Sequence, residues 1–336
     1  MTQHIETDVA IVGAGPVGLF AVFELGMLKL SSVLIDALAE VGGQCAALYP
    51  EKPIYDIPAH AAIEAGTLIA RLEEQIAPFA VPRLLGRQVS SLSGQCGAFT
   101  LASDQGDIVR AKAVIVAAGA GAFGPNRPPL NGLAAYEATG AVQYYVRRRE
   151  DFRGKRVVIA GGGDSAVDWA LALKDIAHVS VVHRRSKFRA APESAAQLDA
   201  AAQNGEIEMI IPYQLHGLVG HYGVLSGVEV ATLEGSVRTL KADVLLPFFG
   251  LSMDLGPIAA WGLQSQAHHV TVDPATCQTS LPGVFAIGDV ATYPGKLKLI
   301  LQGFSEAAVA AHAIFPIVHP DQALHFEYST SKGLPG

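Results

Sequence analysis

Three short runs rich in apolar residues, each broken by glycine and followed by a stretch with helical spacing of its apolar positions, organise this chain. TDVAIV (7–12) ends in GAGPVG and leads into PVGLFAVFELGMLKL. RVVIA (156–160) ends in GGGDSA and leads into SAVDWALALKDIA. GVFAIGDV (283–290) precedes LQGFSEAAVAAHAIF. An apolar run without alternation suits a strand buried on both faces, and a glycine break followed by 3.6-residue periodicity is the signature of a βα unit. The first two units lie about 150 residues apart and match in pattern, which predicts two related dinucleotide folds in one chain.

Between them, AKAVIVAAGAGAFGPNRPP (111–129) reads as a buried strand breaking into a Gly/Pro-rich crossover. Near the second crossover, LLPFFGLS (245–252), the alternating stretches GVLSGVEVATL and SVRTLKADV read as a hairpin. The expected architecture is α/β with two Rossmann-like dinucleotide-binding domains, the second inserted in the first. Residues 1–120 and 248–336 form the host domain, and 121–247 the insert.

Composition narrows the class. Half of the 336 residues are apolar, enough for two cores, and no apolar run reaches the roughly 18 to 20 residues of a membrane span without interruption by Gly, Pro or charge. No membrane insertion is expected. A net charge of −7 argues against general nucleic-acid binding. Cys45, Cys96 and Cys277 lie far apart and form neither a CxxC pair nor a short-spaced metal cluster; this suits a reducing compartment, and the N-terminus lacks the features of a signal peptide. A cytoplasmic protein without a metal site is expected.

The chemistry lies in the glycine turns. Gly13, Gly15 and Gly18 form GxGxxG: the first permits the tight turn, the second lets a pyrophosphate approach the backbone, and the third lets helix and sheet pack closely. Asp36 ends the next apolar run, SVLID, eighteen positions after Gly18, where it can accept from ribose hydroxyls and would repel a 2′-phosphate. This site should hold FAD. Gly42, Gly43 and Gln44 follow, with Tyr49 nearby: glycines for a flat ring, an amide for its polar edge and an aromatic face for stacking. The second turn, Gly161 to Gly163 with Asp164, Ser165 and Ala166, is a GxGxxA variant. His183, Arg184 and Arg185 occupy the place of Asp36 there, and Arg184 with Arg189 can clamp a 2′-phosphate. This site should take NADPH.

With those residues in place, the chain resembles the thioredoxin-reductase-like class of ferredoxin/flavodoxin:NADP reductases. The resemblance rests on GAGPVG, GGQ followed by LYPEK and IYD, GGGDSA, HRR with FRA, AIGD and the tail YSTS, and spans nearly the whole chain. It implies FAD contacts at Val17, Asp36, Gln44, Tyr49, Val89, Phe123, Asp289 and Thr330. Tyr49 and Tyr328 would lie against opposite flavin faces. The resemblance also implies a homodimer in which the tail covers the partner's flavin, and ferredoxin or flavodoxin as electron partner. Thioredoxin reductases carry a CxxC shortly before the second glycine turn, whereas this chain has QYYVRRREDFRGK. Electrons are therefore expected to pass from NADPH through flavin N5 directly to the partner, without a redox-active dithiol. The same nucleotide motifs would serve an NADPH-dependent quinone reductase or oxidase, or a non-catalytic FAD-binding redox sensor.

Overall fold

The computed structural model describes residues 2–119 and 121–324, with the backbone alone at 122–123 and 251–253. The chain forms two compact units that change over at Phe123/Gly124 and Ser252/Met253, a few residues beyond the expected boundaries.

The first unit is built on a seven-stranded sheet. Its path runs Arg83–Leu85, Ser32–Asp36, His4–Val12, Ile108–Val116, Ala98–Ser103, Val89–Gln95, and Val284–Ala286 also pairs with Ile108–Val116. His4–Val12 is parallel to both of its neighbours. Ile108–Val116 pairs antiparallel with Ala98–Ser103 along its first half and parallel with Val284–Ala286 at its end. The sheet is covered on both faces, which explains the apolar runs without alternation. Val9 and Ile11 enter the cluster beneath the first and terminal helices, while Ala10 and Val12 face a second cluster with Ile35, Phe99 and Leu101.

The first helix, Pro16–Met27, starts with proline in its first turn, where no N–H is needed and the φ is already helical. It buries Leu19, Val22 and Leu25, and its Phe20 ring lies 4.8 Å from Phe304 of the terminal helix, Ile300–Val318. That terminal helix is, with 19 residues, long and apolar enough to cross a membrane by length and composition, although Gly303, Glu306 and Pro316 interrupt its apolar run as expected. Its apolarity belongs to the core: Ala307, Ala310, Ala311 and Ile314 are fully buried against the first unit's own elements.

The second unit holds a four-stranded parallel sheet in the order Ile207–Ile210, His178–Val182, Arg156–Ala160, Val244–Pro247. The expected hairpin is present as Val224–Ala231 against Val237–Lys241, extended to three antiparallel strands by Gln214–His221.

One buried charge ties the far edge of the first unit together. Asp107, 2 % exposed, accepts hydrogen bonds from the Gln3 N–H (2.8 Å), the Ser103 hydroxyl (2.9 Å) and Arg87 Nε (2.8 Å). The Gln3 N–H, opposed by burial and helped by Ser103 and Arg87, holds its carboxyl below the usual range. A carboxylate lowered in the folded state stabilises the fold above its unfolded pKa of about 3.9, and loses that contribution as pH falls through the folded value. Asp107→Asn is therefore expected to lower the Tm at neutral pH and to narrow its gap to the parent as pH falls below the unfolded carboxylate value of about 3.9. A gap that stays constant across acid melting curves would contradict this account.

Candidate functional site

The first glycine turn is shaped by close approach. Gly13 has φ +116°, and a Cβ there would lie 2.3 Å from the carbonyl oxygen of Ala117; a Cβ on Gly18 would lie 1.9 Å from the oxygen of Gly13. Gly15, in extended conformation at the helix N-cap, has no atom within 4 Å of its Cβ position. Two glycines thus satisfy packing inside the chain, and the third leaves open backbone. Asp36 braces this turn. Its Oδ2 accepts the Ala14 N–H at 2.6 Å and its Oδ1 the Leu38 N–H at 2.8 Å. Burial pushes the carboxyl up while these two N–H groups pull it down. Each oxygen keeps acceptor capacity for a further donor.

A cavity of about 440 Å³ extends from this turn, lined entirely by the first unit. Of the residues named from sequence, it gathers Gly13, Gly15, Val17, Asp36, Gly43, Gln44, Tyr49, Val89 and Asp289. Gly18 is buried behind Gly13 rather than in the wall. Phe123 contributes only backbone to the description, and Tyr328 and Thr330 lie outside the described residues. Gly43 has φ +56°, and its Cβ position is 3.2 Å from Gly15 Cα, so the two glycine segments meet almost backbone to backbone. Leu299 and Ile300 add the start of the terminal helix, whose N-cap makes no side-chain hydrogen bond. Its first N–H groups and positive dipole end are therefore available to an electron-rich group.

Sequence reasoning missed Arg87, which lines the cavity beside Asp36. Its side chain is 25 % exposed, and its hydrogen bonds among the described residues use Nε, to Asp107, and Nη1, to the carbonyl of Gly86. No motif marks it, because Asp107, which aims it, comes twenty residues later.

The site fits FAD on its own geometry. Open backbone at Gly15 suits a pyrophosphate, the Asp36 acceptors suit ribose hydroxyls, and the Gly43–Gln44 segment with Tyr49 offers a flat, amide-edged end. The two buried thiols offer no relay, and Cys96 is exposed and does not line the cavity. Cys45 is 3 % exposed and burial pushes it up to about 11; Cys277 is 1 % exposed and is pushed up to about 12, again chiefly by burial. Thiols that stay protonated at neutral pH are poor nucleophiles. Replacing all three cysteines with serine is expected to leave electron transfer from NADPH within about threefold of the parent, since nothing needs a thiolate. A folded, FAD-loaded triple variant that no longer turns over would overturn direct transfer.

The second turn repeats the design. A Cβ at Gly161 would lie 2.7 Å from the carbonyl of Phe248, whereas Gly163, N-cap of the helix Asp164–Leu173, has nothing within 4 Å. Arg184 and Arg189 are exposed, and Ser165 lies in the first turn of that helix. His183 and Asp164 are engaged differently. The His183 ring packs where a Gly162 side chain would be, 2.1 Å from that Cβ position, and 4.9 Å from the Phe188 ring. Burial, opposed by a backbone hydrogen bond at Lys187 and aided by the charges of Arg184, Arg185 and Arg189, holds its pKa below the ordinary value. Asp164 Oδ1 accepts the Ala191 N–H at 2.9 Å, and the Arg189 N–H donates to the Gly162 carbonyl at 2.6 Å. Together these contacts fasten the basic loop to the glycine turn.

The model of the family described as pyridine nucleotide-disulphide oxidoreductase matches residues 7–313. A ferredoxin–NADP reductase of Granulibacter bethesdensis is 75 % identical over 333 residues, covering 99 % of this chain and 95 % of that protein. One of Gluconobacter oxydans is 70 % identical, covering 99 % and 98 %. The thioredoxin reductase of Lactococcus lactis shares the fold, with a TM-score of 0.81 at 23 % identity over 94 % of this chain and 99 % of that one. This chain, an α/β protein of thioredoxin-reductase-like fold, belongs to the pyridine nucleotide-disulphide oxidoreductase family.

Proposed function

We propose that the protein is a cytoplasmic FAD-dependent reductase that moves electrons between NADPH and ferredoxin or flavodoxin. The observation that carries this reading is the contrast between two glycine turns of like design. One leads to Asp36 and a cavity of about 440 Å³; the other leads to an exposed pair of arginines. The first rejects a 2′-phosphate and the second attracts one, so a single chain holds two dinucleotides of different kinds. The names of the 70–75 % identical relatives support ferredoxin as the partner.

FAD, when bound, supplies a centre that takes hydride as a two-electron unit and yields electrons one at a time. The protein's part is placement. Gly15 and the first helix would hold the pyrophosphate, Asp36 the adenosine ribose, and Asp289 the ribityl chain. Gln44 and Tyr49 would set the ring, with the start of the terminal helix directed at its electron-rich edge. Arg184 and Arg189 would hold the 2′-phosphate of NADPH. Tyr328 and Thr330 would complete the flavin environment, carried by the tail of a second copy in a twofold homodimer.

Steady-state NADPH oxidation, measured with ferredoxin, flavodoxin, a quinone and oxygen in turn, tests the reading. Ferredoxin or flavodoxin is expected to accelerate turnover most. Acceleration by quinone alone would reassign the enzyme as a quinone reductase.

A further inference from the structure

The terminal helix carries a carboxylate on its otherwise apolar core face. Glu306 has a side-chain exposure of 4 %, and its ion-pair partner Lys296 one of 6 %. Glu306 Oε2 accepts the backbone N–H of Gly288 at 2.7 Å, and its Oε1 accepts the Tyr293 hydroxyl at 2.6 Å as well as the Lys296 ammonium. Gln302 Nε2 donates to the Tyr293 hydroxyl oxygen at 2.8 Å. Every one of these partners comes from residues 288–302, the stretch that runs from the Gly-Asp turn into the first turn of the helix.

Stability alone is a poor account of this cluster. Taking two charges out of water is costly, and well-packed apolar side chains of similar volume replace buried ion pairs without loss in many proteins. What a leucine could not do at position 306 is accept the Gly288 N–H. Gly288 has φ +73°, and its Cβ position lies 3.4 Å from Val17, which also packs 2.3 Å from the Cβ position of Gly303. The turn is thus backed by the first helix on one side and tethered to the terminal helix through Glu306. Both ends of the tethered stretch face the cavity, Asp289 at one and Leu299 with Ile300 at the other.

We propose that Glu306 is a positioning residue for the cofactor: as the acceptor of the Gly288 N–H, it fixes Asp289 and the start of the terminal helix as one block in the cavity wall. The proposal rests on the FAD reading of that cavity, and it assigns Glu306 no contact with the ligand.

Two charge-neutral pairs separate acceptor from charge. Glu306→Gln with Lys296→Met keeps an oxygen for Gly288, whereas Glu306→Leu with Lys296→Met removes it. In FAD titrations of apo-protein, followed by quenching of flavin fluorescence, the glutamine pair is expected within about threefold of the parent Kd. The leucine pair should bind at least about tenfold more weakly, the scale of one lost hydrogen bond to a charged acceptor. Asp289→Ala should weaken the parent strongly and the leucine pair much less, because the two changes act on one element. Equal affinities for the two pairs, both folded by circular dichroism, would overturn the proposal, as would additive effects of Asp289→Ala. If the leucine pair does not fold, the glutamine pair still decides: binding as weak as that of Asp289→Ala would overturn it. Parent protein that takes up no FAD would instead remove the reading on which the proposal stands.

Discussion

Replacing Arg184 and Arg189 together with alanine is expected to raise the KM for NADPH by roughly 100-fold while changing that for NADH by less than about threefold. A hydrogen bond between a guanidinium and a phosphate oxygen contributes about 1.5 to 3 kcal/mol, and exposure of both side chains favours the lower end for each. Two such losses amount to about 3 kcal/mol, which is roughly two powers of ten. NADH has no 2′-phosphate and so nothing to lose. The loop that carries the arginines is fastened by backbone and by Asp164, not by the guanidinium groups, so the double variant should keep its fold. Steady-state kinetics with both coenzymes provide the check, and an NADPH preference that survives the change would place the phosphate site elsewhere.

Gly15→Ala is expected to leave the apo-protein folded, with a Tm close to the parent's, while weakening FAD binding by roughly 10- to 100-fold. A methyl at that position meets no atom of the chain, so the fold has no reason to object. The same methyl would stand between the backbone and a pyrophosphate, and overpacking of that kind costs about 1 to 3 kcal/mol. Gly18→Ala should behave in the opposite way. Its methyl would lie 1.9 Å from the oxygen of Gly13, so helix and strand must separate and the fold itself should suffer. Gly163→Ala supplies the control, sparing FAD and raising the KM for NADPH. Thermal melts and FAD titrations of the three variants separate these outcomes. A Gly15→Ala protein that binds FAD like the parent would show that no pyrophosphate lies there.

The parts of the site that sequence made legible are those held within one βα unit. The strand-turn-helix at 4–27 and its counterpart at 156–173 follow from local periodicity, and Asp36 follows from its distance to Gly18 because a short helix fixes that spacing. The order of strands in the first sheet was not legible in detail, since the pairing of Val284–Ala286 with Ile108–Val116 joins segments that no local pattern links. Arg87 was missed for the same reason, as its aim depends on Asp107 across the sheet edge. His183 was legible as a strand-end residue. Its engagement with Gly162 was not, because the missing side chain of a glycine gives no sign of which neighbour will fill the space. Long-range polar contacts such as Gly288 with Glu306 carry no period and no motif, and only the folded chain brings them together.

The split of the first unit around the second sets an order for biosynthesis. As the chain leaves the ribosome, residues 124–252 are contiguous and can complete their parallel sheet from their own strands. The host sheet cannot. The end of Ile108–Val116 waits for Val284–Ala286, and the cavity wall waits for Leu299 and Ile300. Through most of translation the nascent host therefore exposes an unpaired strand edge and an open apolar face, the features that recruit chaperones and promote aggregation. Cofactor loading comes last, because the cavity wall is complete only once the start of the terminal helix has emerged.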